Sequence, residues 1–128
     1  LAAGLRVALA PGAVPALFLD NRSEQTASIL DDQGRAFLRV GPEGVWADTG
    51  HPLWPDIAPL GRKGGRSGWQ QLSTARRYTW LERRAAWQHP LPGGDRARVV
   101  GQWQVPLMLG DQLLRIAGRQ VWVPQPAQ

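Results

Sequence analysis

The sequence predicts an all-β protein, an immunoglobulin-like antiparallel β-sandwich in a single domain. Three observations predict it. Short apolar runs alternate with polar residues at the two-residue period of half-buried strands. The runs recur at spacings of about ten residues, as in sandwiches. Between them sit Gly and Pro, 15 and 11 of the 128 residues, with specific turn chemistry.

The elements follow in order. Leu5, Val7 and Leu9 point one way with Arg6 between, and Ala10-Pro-Gly-Ala13 turns the chain. Val14 to Leu19 is a second apolar run, closed by Asp20-Asn21; Ala27 to Leu30 is a third. Asp31-Asp-Gln-Gly34 ends it, with a Gly able to take the positive φ of a hairpin turn. Arg35-Ala-Phe-Leu-Arg-Val40, the turn Gly41-Pro-Glu-Gly44 and Val45-Trp46-Ala47 complete five strands. Residues 48–68 break the pattern: Pro52, Pro55 and Pro59 stiffen the first part, and Gly61-Arg-Lys-Gly-Gly-Arg-Ser-Gly68 has no periodicity. An irregular segment of this length is commonly functional or mobile. Trp69 to Leu72 and Arg77 to Leu81 read as strands, with Tyr78 and Trp80 on one face; Leu81 to Gln88 could instead make two helical turns. After a loop at 89–95, Arg98 to Val105 is a strand. A turn at Gly110-Asp111 then leads to Gln112 to Ile116 and Val121 to Val123. Eight or nine strands result, the domain spanning 1–123 and a Pro-rich tail or linker 124–128. Trp80 and Trp103, mid-strand among apolar neighbours, are expected to face each other across the core.

An apolar content of 43% in 128 residues supports a real hydrophobic core. With no cysteine, disulfides, thiol chemistry and cysteine metal sites are excluded. The net charge is +5, and it is unevenly spread. Residues 1–61 carry four Arg against seven acids, whereas 62–84 carry six Arg and Lys63 against Glu82 alone. The basicity is almost wholly guanidinium, which pairs bidentately and stacks on aromatic rings. The densest stretch runs from Trp69 to Gln88, with Trp69, Trp80 and Trp87 among four arginines. It is either a core strand with a solvated face or a binding stripe.

Motifs for chemistry are sparse. There is no Gly-x-Ser-x-Gly elbow, and Ser23, Ser28, Ser67 and Ser73 lie near no histidine in sequence. His51 and His89 each stand beside a proline and read as exposed loop histidines. A metal site would need Asp48, Asp56 or Glu82 to join them in space. The Gly-rich segment 61–68 lacks the Gly-Lys-Ser/Thr ending of a phosphate loop. Neither a catalytic residue nor a cofactor is expected. The candidate binding residues are Arg62, Lys63, Arg66, Arg83, Arg84 and Trp87, with Arg84 expected to serve the structure as well, since it lies between two tryptophans in sequence, where a guanidinium can stack on a ring and pair with a carboxylate.

One pattern goes further. Leu30-x-x-x-Gly34-x-x-Phe37-Leu38-Arg39-x-Gly41-Pro42-x-Gly44-Val45, then Trp69, Tyr78-x-Trp80-x-x-x-Arg84-x-x-Trp87 and Trp103-x-Val105-Pro106, resembles uncharacterised extracytoplasmic β-sandwich domains of bacterial membrane-anchored proteins. In that family the central segment typically runs Trp-His-Asp-His-Arg-x-His-Trp-Met. Here Leu81, Arg83 and Ala86 stand in place of the histidines, Glu82 in place of the Asp and Gln88 in place of the Met. The resemblance implies an exported domain near a membrane and implies no activity. The chain starts at Leu1 and ends Val123-Pro-Gln-Pro-Ala-Gln128, which reads as a piece whose signal peptide or anchor lies outside it.

The expected function is therefore a non-enzymatic binding or structural module of the bacterial cell envelope, in the periplasm or at the cell surface. Its expected partner is a protein or an anionic envelope component rather than nucleic acid. Two alternatives stay open: anion or nucleic-acid binding through 62–84, and metal handling through His51 and His89.

Overall fold

A computed structural model describes residues 4–58, 68–86 and 98–122. Nine antiparallel strands among these residues form two sheets. β1 (Leu5–Ala10), β2 (Ala16–Asn21) and β7 (Arg77–Leu81) make a three-stranded sheet in the order β1-β2-β7. β3 (Ala27–Leu30), β4 (Ala36–Gly41), β5 (Gly44–Asp48), β6 (Trp69–Ser73), β8 (Arg98–Leu109) and β9 (Gln112–Trp122) make a six-stranded sheet in the order β6-β5-β4-β3-β8-β9. The expected all-β sandwich is thus the architecture found. Among the described residues no helix is long and apolar enough to cross a membrane.

Alternation builds the core. Leu17 and Leu19 of β2, Ile29 of β3, Leu38 and Val40 of β4, Val45 and Ala47 of β5, and Val105 and Leu107 of β8 have no exposed surface. Each is separated from the next inward residue by one that points away, as a pleated strand requires. On β7, Tyr78 and Trp80 do share a face, set opposite Leu19 and Leu17. Asn21 joins the two layers: its buried Nδ2 donates to the Val40 carbonyl at 2.9 Å and the Gln25 carbonyl at 2.8 Å. Its Oδ1 accepts from the Ser23 amide and hydroxyl. A fully satisfied buried amide of this kind fixes how the sheets sit.

Two elements differ from the sequence reading. The β8–β9 hairpin is one long ribbon, with β9 continuous from Gln112 to Trp122 rather than split into two pieces. Its polar alternation hides it, because only one face is covered. At its centre Trp103 pairs with Gly118, and a Cβ there would lie 2.3 Å from the Trp103 ring. The glycine makes room for the indole. Within 48–68, residues 54–57 form a short helix, α1 (Trp54–Ile57), with Pro55 in its first turn, where no N–H is needed. Trp54 and Ile57 are 8% and 2% exposed, so this part of the proline-rich segment belongs to the core.

Candidate functional site

A cleft of about 800 Å³ opens where the end of β7 meets the β3–β4 turn, α1 and β8. Its apolar lining comes from Phe37, Leu53, Trp80 and Trp103, and its polar lining from Asp31, Asp32, Asp56, Glu82, Arg83, Arg84 and His51. Trp80 and Trp103 are 3% and 9% exposed, buried as expected, and both line the opening.

Glu82 anchors the wall. It is 4% exposed and follows β7 directly, capping a single turn of 3₁₀ helix at Arg83–Ala85; the helical alternative read from 81–88 reduces to this turn within the described residues. Its carboxylate accepts from the Trp80 Nε1–H at 3.0 Å, the Arg84 backbone N–H at 3.2 Å, and the Arg84 Nε and Nη2 at 2.8 and 2.9 Å. Arg84 also donates through Nη1 to the Leu30 carbonyl at 2.8 Å and lies 6.0 Å from the Phe37 ring centroid. Burial works against the Arg84 charge, but the Glu82 bonds and field outweigh it and raise the guanidinium above its ordinary value. Arg84 thus pairs with a carboxylate, as expected, and its guanidinium lies toward Phe37; Trp87, one of its two tryptophan neighbours in sequence, lies outside the described residues.

His51 departs from expectation. It is 6% exposed, not a solvated loop side chain. Its ring stacks on Phe37 at 5.0 Å, its Nδ1 accepts from the Leu53 N–H at 3.0 Å, and its Nε2 faces Asp31 Oδ2 at 2.8 Å. Since Nδ1 is an acceptor, Nε2 carries the proton and donates it to Asp31. That bond, first, holds the Asp31 carboxyl below its ordinary value; burial opposes it, and the backbone N–H groups of Arg35 and Gln33 reinforce it. On the rim, Arg83 reaches back to Asp56 with two bonds of 2.8 and 2.9 Å.

The chemical consequence is that the titratable groups are mostly engaged with one another. A triad-type histidine keeps one nitrogen for its carboxylate and the other for the nucleophile; both His51 nitrogens are taken. The same occupancy leaves His51 no lone pair for a metal, and among the described residues no group of three His, Asp or Glu side chains could hold one. His89 lies outside the described residues. So do Arg62, Lys63, Arg66 and Trp87, so of the six candidate binding residues only Arg83 and Arg84 are placed, both at this cleft. Arg76, also in the basic stretch, is turned inward to the carbonyls of Asn21 and Ser23.

Sequence reasoning missed Phe37, Leu53, Asp31 and Asp32 as lining residues. The one signal was Asp31-Asp32 at a strand end, which alone suggests only a turn.

No family model, curated protein or solved structure matches the chain.

Proposed function

We propose that the protein is a non-enzymatic binding module of the bacterial cell envelope, exported and tethered near a membrane, and that the cleft between the sheets is its principal recognition site. One observation carries the reading. The cleft has the size and mixed lining of a ligand site, yet its imidazole is bonded at both nitrogens and its buried carboxylate accepts four hydrogen bonds from the protein itself. A general acid or base must reach the proton it moves. Groups so engaged are suited to shaping a surface. The export and tether rest on the resemblance of the Trp80-x-x-x-Arg84-x-x-Trp87 segment, not on the fold, since folds host many functions.

The test is a titration of the ¹⁵N-labelled chain with solubilised peptidoglycan fragments and with phosphatidylglycerol vesicles, followed by amide correlation spectra. Reversible shifts gathered on Asp32, Leu53, Leu81 and Gln104, with the ligand chemically unchanged, are the expected result. Turnover of the added compound, or no shift at any of these amides, would overturn the reading. Fractionation of cells expressing the tagged full-length gene product should place it outside the cytoplasm; a cytosolic product would remove the envelope half of the proposal.

A further inference from the structure

The six-stranded sheet has a second, smaller cleft of about 400 Å³ on its other side. Leu38, Val40, Val45 and Ala47 fill the core side of β4 and β5, so strand alternation turns Arg39 and Trp46 outward, and the two stand opposite each other in register. Trp46 is 37% exposed, a large apolar ring left in water. The Arg39 guanidinium lies over Trp69, its Cζ 4.0 Å from the ring centroid. It forms no ion pair among the described residues. Its planar fork of N–H donors is thus held in place by an aromatic face and remains open to an acceptor.

The surroundings are pinned. The Gln71 side-chain amide donates to the Glu43 carbonyl at 2.8 Å and the Ser73 carbonyl at 3.3 Å, tying the β4–β5 turn to β6. Trp46 therefore projects from a braced hairpin, and a ligand meets a surface that needs little ordering.

We propose that this face binds an acidic glycan, a polysaccharide carrying uronic-acid carboxylates. The C–H face of a pyranose ring packs on the negative face of an exposed indole, here Trp46. A uronate carboxylate meets the Arg39 fork in the bidentate geometry that guanidinium favours. Glu43 and Thr26, also in the lining, supply acceptors for hydroxyl groups. The opening falls within the roughly 300–1,000 Å³ of small-ligand sites. Glu43 in the lining counts against a protein partner, because interface centres are depleted of acidic residues, whereas Trp46 and Arg39 would suit either occupant. The inference stands apart from the cleft between the sheets, with which it shares no lining residue.

Isothermal titration of the 128-residue chain with a galacturonic-acid hexamer and a neutral glucose hexamer tests it. The acidic hexamer should bind, and the neutral one at least about tenfold more weakly. Trp46→Ala and Arg39→Gln should each weaken the acidic hexamer about tenfold or more, with unchanged circular dichroism and a melting temperature lowered by no more than a few degrees, since neither side chain is in the core. Asp32→Asn, in the other cleft, should bind as the wild type does. Equal affinity for the two hexamers would overturn the proposal, as would no binding at about 10 mM. Acidic binding that survives the Trp46→Ala, Arg39→Gln double change would also overturn it, assigning the attraction to the basic segment. Self-association abolished by Trp46→Ala would assign the face to a protein contact instead.

Discussion

The two clefts use the same kinds of side chain to opposite ends. Both combine tryptophan, arginine and a carboxylate. In the cleft between the sheets, Arg84 is locked to Glu82 by two short bonds and Trp80 is bonded to the same carboxylate. On the outer face, Arg39 lies over Trp69 without an ion pair among the described residues, and Trp46 stands in water. The difference is burial. A charge taken out of water must be matched by a partner or it costs several kcal/mol, so the inner constellation is closed by necessity. A charge on an open sheet face is solvated and can exchange water for a ligand. The inner cleft is where arginine and tryptophan hold the sandwich together; the outer face is where the same residue types are left with capacity to spare.

The sharpest way to break this contrast is to truncate one tryptophan from each region. Trp80→Ala should cost about 3 to 5 kcal/mol, as large aromatic truncations in cores do, and it also takes a hydrogen bond from buried Glu82. Trp46→Ala should cost less than about 1 kcal/mol. Urea unfolding of both variants decides it, and comparable losses would mean that the outer ring is also structural.

A subtler lever is Gly118. A methyl group at this position would collide with the Trp103 ring at 2.3 Å. Gly118→Ala should therefore destabilise by about 1 to 3 kcal/mol, the usual range for overpacking, and should perturb Trp103 emission. A fully stable variant with unchanged emission would show that the ring moves freely, and the inner cleft would then be less rigid than the contrast requires.

The smallest effect expected is one of pH. Asp31 titrates below its ordinary value of 3.8 in the folded protein, chiefly through its bond from His51. A depressed carboxylate contributes stability that is present above the unfolded value and lost as pH falls through the folded one. The loss from this group therefore begins near pH 4 and continues below it. Asp31→Asn should flatten the acid limb of a stability–pH curve, whereas Arg39→Gln should leave that limb as in the wild type. Identical acid limbs for Asp31→Asn and wild type would remove His51–Asp31 from the set of structural pairs.

How much of this was legible in the sequence follows from the range of each interaction. Strands showed through because alternation is local: Leu38-Arg39-Val40 and Val45-Trp46-Ala47 already place Arg39 and Trp46 on the side opposite the core. That Trp46 stays exposed and Arg39 lies over Trp69 depends on β6 reaching the far side of β5, which no local pattern records. The His51–Asp31 bond joins residues twenty positions apart, so a histidine between glycine and proline reads as solvated until the fold brings Phe37 and Asp31 to it. Glu82 was read as the lone acid in a basic stretch, and its partner Arg84, two residues on, was read by its tryptophan neighbours. Alternation separates Glu82 from core-facing Trp80 in no way, since both face inward, but only the turn at Arg83–Ala85 bends Arg84 back to the same carboxylate. Strand order was out of reach, because pairing β3 with β8, Ala27 with Leu109 at its start, requires contacts across nearly two thirds of the chain.

The account's central claim is that the inner charges hold the fold and the outer one does not. Equilibrium urea unfolding of Glu82→Gln beside Arg39→Gln tests it most directly. Glu82→Gln leaves the largely buried Arg84 with only the exposed Asp32, 3.4 Å from its Nη1, as counter-charge, and a loss of about 3 to 5 kcal/mol is predicted. Arg39→Gln gives up only an exposed cation–π contact and should stay within about 1 kcal/mol of the wild type. A Glu82→Gln variant as stable as the wild type, or an Arg39→Gln variant that loses as much as Glu82→Gln does, would contradict the claim.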